Sequence, residues 1–391
     1  MSSRDGMVAN LLAEIVRDAH RYAPGIEQRR PTNVAAVRSG WRRAVTVGRE
    51  RGRDVVERAA ARAGFSRRHF DPEQAGQGVA RLWELADDLD ATYSRLGDER
   101  SRRAMLDVLK LRVLGPYHTS LAITPAMYRA EQVRADRQLR IRSDTIEVSD
   151  PWFSPLSLYR VPVPGGSSVV LHSHSVDVVS VFVLGQYRYA HDGAGVTVGP
   201  GDVVLDVGGC WGDTALYFAS LVGPEGKVYT FEFDPESLEI LRANLALNPE
   251  LADRIEVVEQ ALWDRSGEAL QIVQAGRCTS VAEGDGAPDA AQVQTITLDD
   301  FVERAGIGRL SFIKMDVEGA ECNVLRGGQR SLERFAPRLA IAAYHRDDDL
   351  VTIPGLIASR GLDWRLYLSS FSAVEAETVL FAEATRVISS T

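Results

Sequence analysis

From Met7 to about Arg140 apolar residues recur at the three- and four-residue spacing of a helix face. Val8, Leu11, Leu12, Ile15, Val16 and Ala19 form one stripe, and Val34, Val37, Trp41, Ala44 and Val45 a second. Leu82, Leu85, Leu89, Tyr93 and Leu96 form a third, which Met105, Val108, Leu109 and Leu111 continue. Gly64, Pro72 and Gly115-Pro116 punctuate these runs. Residues 1–140 are therefore expected to be a helical accessory region packing on itself, with an oligomerisation surface or a lid over a substrate as the sharper readings. Residues 141–200 change character: Ser168 to Leu171 and Val176 to Leu184 are short apolar runs set among Gly and Pro, read as strands and turns. His172 and His174 would share one face of such a strand. With no partner ligand near in sequence, they are expected to be a surface or satisfied pair.

From Gly201 onward strand and helix patterns alternate. Strands are predicted at Val203 to Val207, Lys227 to Phe233, Ile255 to Glu259, Leu310 to Asp316 and Leu339 to Tyr344. Helices are predicted at Thr214 to Leu221, Pro235 to Leu247, Ala320 to Phe335 and Leu350 to Arg360. Trp364 to Leu368 and Thr378 to Ala382 close the sheet, and their short connection predicts an antiparallel pair. Residues 201–391 thus read as an α/β domain with a mostly parallel sheet covered on both faces.

A hydrophobic content of 45% over 391 residues allows a large core. The net charge of −9 gives no support to a nucleic-acid partner. Three cysteines (Cys210, Cys278 and Cys322) lack the spacing of a disulfide framework or a zinc site. The first residues mix charge with apolar side chains, unlike the core of a signal peptide, and no run approaches the length of a membrane span. The expectation is a soluble cytoplasmic protein with no membrane partner and no resident metal, and with a possible homo-oligomer through the N-terminal helices.

Five stretches carry the candidate chemistry, and all end predicted strands. In Asp206-Val207-Gly208-Gly209-Cys210-Trp211-Gly212-Asp213-Thr214 a buried strand runs through a glycine turn into a helix whose positive end suits an anionic group. The spacing lacks the G-x-G-x-x-G of a nicotinamide binder. Asp206 suits an ammonium-bearing zwitterion such as the methionine part of S-adenosylmethionine. Glu232 ends the second strand, where an acid can accept hydrogen bonds from ribose hydroxyls; Asp234-Pro235 reads as the next helix start. Gln260 and Ala261 follow the third strand, where an adenine edge would lie. Asp316 and Glu318 sit at the mouth of the fourth strand, with Glu321 on the following helix, as a functional acid or a structural helix-start residue. His345 follows the fifth strand, and its ordinary pKa of about 6.5 suits a general base, with Asp316 as the alternate.

These residues together resemble the FkbM-type methyltransferases over roughly Phe182 to Glu383. The most specific segments are Gly208 to Leu216, Lys314 to Glu321 and Leu339-Ala340-Ile341 followed by Tyr344-His345. Gln186-Tyr187-Arg188-Tyr189 and Glu377 to Phe381 also fit the family's habit. The resemblance implies a class I methyltransferase sheet, S-adenosylmethionine as cofactor, and O-methylation of a small hydroxylated acceptor, a sugar or secondary metabolite. One departure is Ser369-Ser370-Phe371, where members with this style of C-terminus often carry a histidine. Three rival readings stay open. One is a nicotinamide oxidoreductase and another a non-catalytic binding protein. The third is a metal-assisted enzyme with Asp316, Glu318 and His345 around Mg²⁺.

Overall fold

A computed structural model describes residues 6–22, 72–115, 118–119, 121–191, 193–273, 279–282, 291–359, 362–374 and 376–385. Helices at Met7–Tyr22, Pro72–Glu84, Ala86–Arg95 and Glu99–Leu114 are followed by one at Pro125–Gln138. The stripe from Val34 to Val45 lies outside the described residues. A three-stranded antiparallel sheet comes next, formed by β1 (Arg140–Ile146), β2 (Leu156–Pro162) and β3 (Ser168–Ser173).

Then comes the main sheet. Its strands are β4 (Val203–Val207), β5 (Lys227–Phe231), β6 (Ile255–Val258), β11 (Phe312–Met315), β12 (Arg338–Ala342), β13 (Asp363–Ser370) and β14 (Thr378–Thr385). The spatial order is β13-β14-β12-β11-β4-β5-β6. β6, β5, β4, β11 and β12 are mutually parallel, whereas β14 runs antiparallel to both β12 and β13. Chain order reverses between β4 and β11, so a crevice opens beyond the carboxyl ends of these two strands.

Alternation along the strands decides what covers each face. Leu205, Val207, Ile313, Met315, Leu339 and Ile341 share one core with Val8, Leu11, Leu82, Leu89, Met105 and Leu109 from the N-terminal helices. Those helices therefore cover the sheet as well as one another, and Leu96 bridges to Leu366 of β13. Val204, Phe312, Ala340 and Phe381 face the opposite way. They pack with Tyr159, Val161, Val169 and Leu171 of the small sheet and with Ala215, Leu216 and Phe218 of the helix Asp213–Val222.

Three parts of the chain depart from the sequence expectation. Val176 to Leu184 is helical: a short turn at Ser175–Asp177 leads into a wide π-helical segment at Val178–Val183. A β-branched apolar run cannot by itself separate a buried helix from a buried strand. Here Val178, Val179 and Val181 are all buried in the core beneath the sheet. Secondly, the helix expected at Ala320 to Phe335 is two helices, Glu321–Gly327 and Gln329–Phe335. At Gly327 a Cβ would lie 2.1 Å from the carbonyl oxygen of Trp263, so only glycine lets these backbones meet. Thirdly, a further four-stranded sheet of order β7-β10-β8-β9 was not anticipated. It comprises β7 (Ala261–Trp263), β8 (Ala269–Val273), β9 (Ser280–Ala282) and β10 (Gln292–Thr297).

Candidate active site

Beyond β4 the chain turns at Gly208, whose φ is 88°. A Cβ there would sit 1.9 Å from the carbonyl oxygen of Asp316, so the glycine is required by the close approach of the β11 end as well as by its left-handed backbone. Gly209 and Gly212 bring the loop against Thr230 and Leu241. The amides of Gly208 and Gly209 both donate to the carbonyl of Phe231, at 3.1 and 2.8 Å, tying the loop to the end of β5.

Glu232 follows directly. Its carboxylate accepts hydrogen bonds from the amides of Cys210 (2.8 Å), Phe233 (2.7 Å) and Asp234 (2.8 Å). Burial pushes its pKa up to about 7 in spite of those three donors. Asp234 instead accepts from the Ser237 amide at 2.9 Å and caps the helix Pro235–Ala246, as its place before a proline predicted.

Gly208, Cys210, Glu232, Phe233, Gln260, Ala261, Leu262, Asp316, Val317, Glu318 and Ala320 line one cleft. Thr279, Ser280 and Val281, contributed by the unanticipated sheet, close its far side. Gly208 of the glycine loop, Glu232, Gln260, Ala261, Asp316 and Glu318 are thus brought together on one cleft. Gln260 also accepts a hydrogen bond from Arg304 at 2.6 Å.

Six expected cofactor contacts do not line this cleft: Gly209 and Gly212, which support the loop from behind, and Asp206, Trp211, Asp213 and Thr214. Asp206 is fully buried. Neighbouring strands set Thr230 and Lys314 beside it in register. It accepts hydrogen bonds from Thr214 (2.9 Å) and Thr230 (3.0 Å) and pairs with the Lys314 ammonium at 3.2 Å. Buried behind these three donors, the carboxylate does not reach the cleft and instead anchors the loop that follows it. The Thr214 hydroxyl is used up in the same network. Lys314 also donates to the carbonyl of Gly208 and lies 5.3 Å from the Tyr187 ring centre. Burial would lower the lysine's pKa, but Asp206 and Asp316 overcome this and raise it. Trp211 packs with Val148, Leu156 and Ile240, away from the cleft. Asp213 is buried in the first helical turn, where it accepts from the Thr214 amide at 2.9 Å.

On the other side of the crevice stands His345. Its Nδ1 is hydrogen-bonded to Glu321 Oε1 at 2.8 Å, and Glu321 also accepts from the Val317 amide at 3.0 Å. Its Nε2 lies 3.3 Å from Asp316 Oδ1 and 3.6 Å from Glu318 Oε2. The histidine expected as general base is thus held between carboxylates. Burial would lower the pKa of His345, but Asp316 and Glu321 outweigh it and hold it at about 11. Both ring nitrogens face carboxylates, and the ring is not among the groups lining the cleft. Asp316 does line it. Burial would raise the Asp316 pKa, yet His345, Lys314 and a 2.8 Å hydrogen bond from the Tyr187 hydroxyl hold it well below the usual carboxylate range.

Tyr187, Lys314 and Glu321 are therefore site residues to which the sequence reading assigned no certain role. Their signal lay in the segments of family resemblance. The histidine pair also separates: His172 lies at the end of β3, while His174 has left the strand and accepts from the Val176 amide at 3.3 Å as a helix cap.

Residues 190–373 match the model of the methyltransferase FkbM domain. Among curated proteins the chain is similar to the 2-O-methyltransferase NoeI of Sinorhizobium fredii, with 29% identity over 34% of this chain and 60% of that protein. It is also similar to a catechol O-methyltransferase of Mycobacterium tuberculosis, with 40% identity over 14% of this chain and 24% of that one. The chain thus spans less than two thirds of the length of these curated relatives. Among solved structures it is similar to a methyltransferase FkbM from Methylobacillus flagellatus, with a TM-score of 0.49 and 17% identity over 86% of this chain and 72% of that one. The α/β sheet described above is mostly parallel, with β14 antiparallel between β12 and β13. The similarity is thus to FkbM methyltransferases, and it is carried by the region spanning residues 190–373.

Proposed function

We propose that the chain is an S-adenosylmethionine-dependent O-methyltransferase acting on a hydroxyl of a sugar or another small hydroxylated metabolite. The observation that carries the reading is the placement of Glu232. A buried carboxylate at the end of β5, held by three backbone amides, opens on the same cleft as the glycine loop and faces Asp316 across it. Such a carboxylate is fitted to accept hydrogen bonds from a ribose diol, with Gln260, Ala261 and Leu262 beside the adenine. The hydroxyl specificity rests on the similarity to NoeI, a 2-O-methyltransferase.

The bound donor supplies a methyl group already activated on a sulfonium, so holding the acceptor in line contributes much of the rate. The acceptor oxygen forms the new O–C bond as the C–S bond breaks, its electron pair going to sulfur. Asp316 is the carboxylate placed to orient that hydroxyl and receive its proton. Tyr187, Lys314 and His345 fix the carboxylate in turn. The test is mass spectrometry of products made with methyl-deuterated donor from panels of glycosides and hydroxylated metabolites. Labelled ethers are the expected result; labelling confined to nitrogen or sulfur acceptors would overturn the O-methyltransferase reading.

A further inference from the structure

Glu321 is a deeply buried acid, with its side chain 1% exposed, and it does not line the cleft. A carboxylate so placed costs stability unless its charge is matched. Its Oε1 accepts two hydrogen bonds, from the Val317 amide at 3.0 Å and from His345 Nδ1 at 2.8 Å. Its Oε2 is buried and takes part in none among the described residues. Asp349, also 1% exposed, is a second buried acid nearby and feels the charges of Glu321, His345 and Arg112. His345 is the cation that Glu321 meets directly.

Strand pairing puts these groups within reach of one another. β11 and β12 are parallel neighbours with Met315 beside Ile341, so the loop after the first lies against the residues after the second. The bond from the Val317 amide ties the Glu321 carboxylate to the backbone next to Asp316, and the same oxygen holds the imidazole. The Tyr344 ring packs against that imidazole with ring centres 4.2 Å apart. Nε2 is thereby directed towards Asp316 Oδ1, 3.3 Å away, where the Tyr344 hydroxyl also donates at 3.4 Å. The Tyr187 hydroxyl holds Oδ2 at 2.8 Å. Each oxygen of Asp316 thus has its own hold, and the carboxylate cannot turn without losing one of them.

We infer that Glu321 is a positioning residue for methyl transfer: it touches neither donor nor acceptor, and acts through His345 to fix the Asp316 carboxylate at the cleft. The inference rests on the reading of Asp316 as the group that orients the acceptor hydroxyl. The direction of an imidazole is set by the bond at its other nitrogen. Without the Glu321 carboxylate the ring loses the acceptor that directs it, and Asp316 loses a hold on Oδ1. A misplacement of about 1 Å in such a site costs on the order of 10²-fold in rate.

The experiment compares the parent, Glu321→Gln, His345→Gln and the double variant as full chains. Donor affinity is measured by calorimetry with S-adenosylmethionine. Turnover is measured with methyl-deuterated donor and the panel of glycosides and hydroxylated metabolites. Glu321→Gln is expected to lower kcat about 10–100-fold, the value of one hydrogen bond to a charged group, with donor affinity unchanged. The double variant should be no slower than His345→Gln alone, because a residue acting only through the histidine then has nothing to act on. Proton–nitrogen spectra of the histidine-labelled parent should show one imidazole whose Nδ1 proton is far downfield and slow to exchange. That measurement needs no variant, so it decides the pairing even if the buried changes fail to fold. Absence of that proton, parent-like kcat in Glu321→Gln, a loss of kcat matched by a loss of donor affinity, or losses that multiply in the double variant would overturn the inference. A folded parent that labels no hydroxyl in the panel would instead overturn the methyl-transfer reading on which the role rests, and the imidazole proton would still report the pairing.

Discussion

Two buried charge clusters flank the end of β11, and they differ in closure. In the first, Asp206 is matched by Lys314, Thr214 and Thr230, and Lys314 in turn by backbone carbonyls. Acid and base meet directly there, although Lys314 also acts on Asp316, and the side chains of Asp206 and Lys314 are 0% and 2% exposed. The second sets Asp316, Glu318 and Glu321 around a single histidine, leaves buried atoms without hydrogen bonds and opens on the cleft. A closed cluster holds backbone in place; an unbalanced one beside a cavity has capacity left for a ligand. Position at a strand end does not separate them, since Asp206 and Asp316 both stand at the carboxyl side of central strands. Burial and partner count do.

The comparison breaks most severely if the closed cluster is opened. Lys314→Met should leave Asp206 as an uncompensated buried charge and destabilise the protein by about 3–5 kcal/mol, read as a lowered midpoint in denaturant unfolding. A variant as stable as the parent would show that Asp206 finds other compensation. The matching change in the open cluster should act on rate. Asp316→Asn is expected to lower methyl transfer by about 10²–10⁴-fold while donor affinity changes little. Equal losses in both would make Asp316 a donor ligand and not a group acting on the acceptor.

Glu232 sharpens the contrast between donor and acceptor sides. Glu232→Ala should weaken donor binding by about 1–3 kcal/mol, a smaller effect than either change above. Its pKa near 7 also gives a pH dependence. A carboxyl whose folded pKa is raised contributes stability that is present at low pH. That contribution is lost as pH rises from the ordinary glutamate range through about 7. Donor binding should run the opposite way, because ribose hydroxyls donate best to the ionised form. Affinity is expected to rise about tenfold between pH 6 and pH 8, and to stay flat in Glu232→Gln. A parent protein that binds equally at both values would place the ionisation elsewhere.

The sequence was most legible where local geometry is dictated by one residue. Gly208 and Glu232 could be placed because a buried strand, a glycine turn and a second strand ending in an acid fix one another at short range. Asp206 lies in the same segment yet is buried off the cleft, because what closes it in is Lys314, a residue of a strand more than a hundred positions away. His345 looked like a lone base because Glu321, Asp316 and Glu318 converge on it only when β11 and β12 pair. Trp211 gave no local sign that Val148, Leu156 and Ile240 would bury it. The four-stranded sheet that closes the cleft was invisible for a further reason. Its strands are three to six residues long, too short for alternation to rise above noise.

The central claim is that the cleft between the glycine loop, Glu232 and Asp316 is a donor site. Calorimetric titration of S-adenosylmethionine into the parent protein and Glu232→Ala, both checked for folding by circular dichroism, tests it most directly. The account predicts one donor bound per chain, with affinity at least several-fold weaker in the variant. Identical affinity in the two proteins, or no binding to the folded parent, would contradict it.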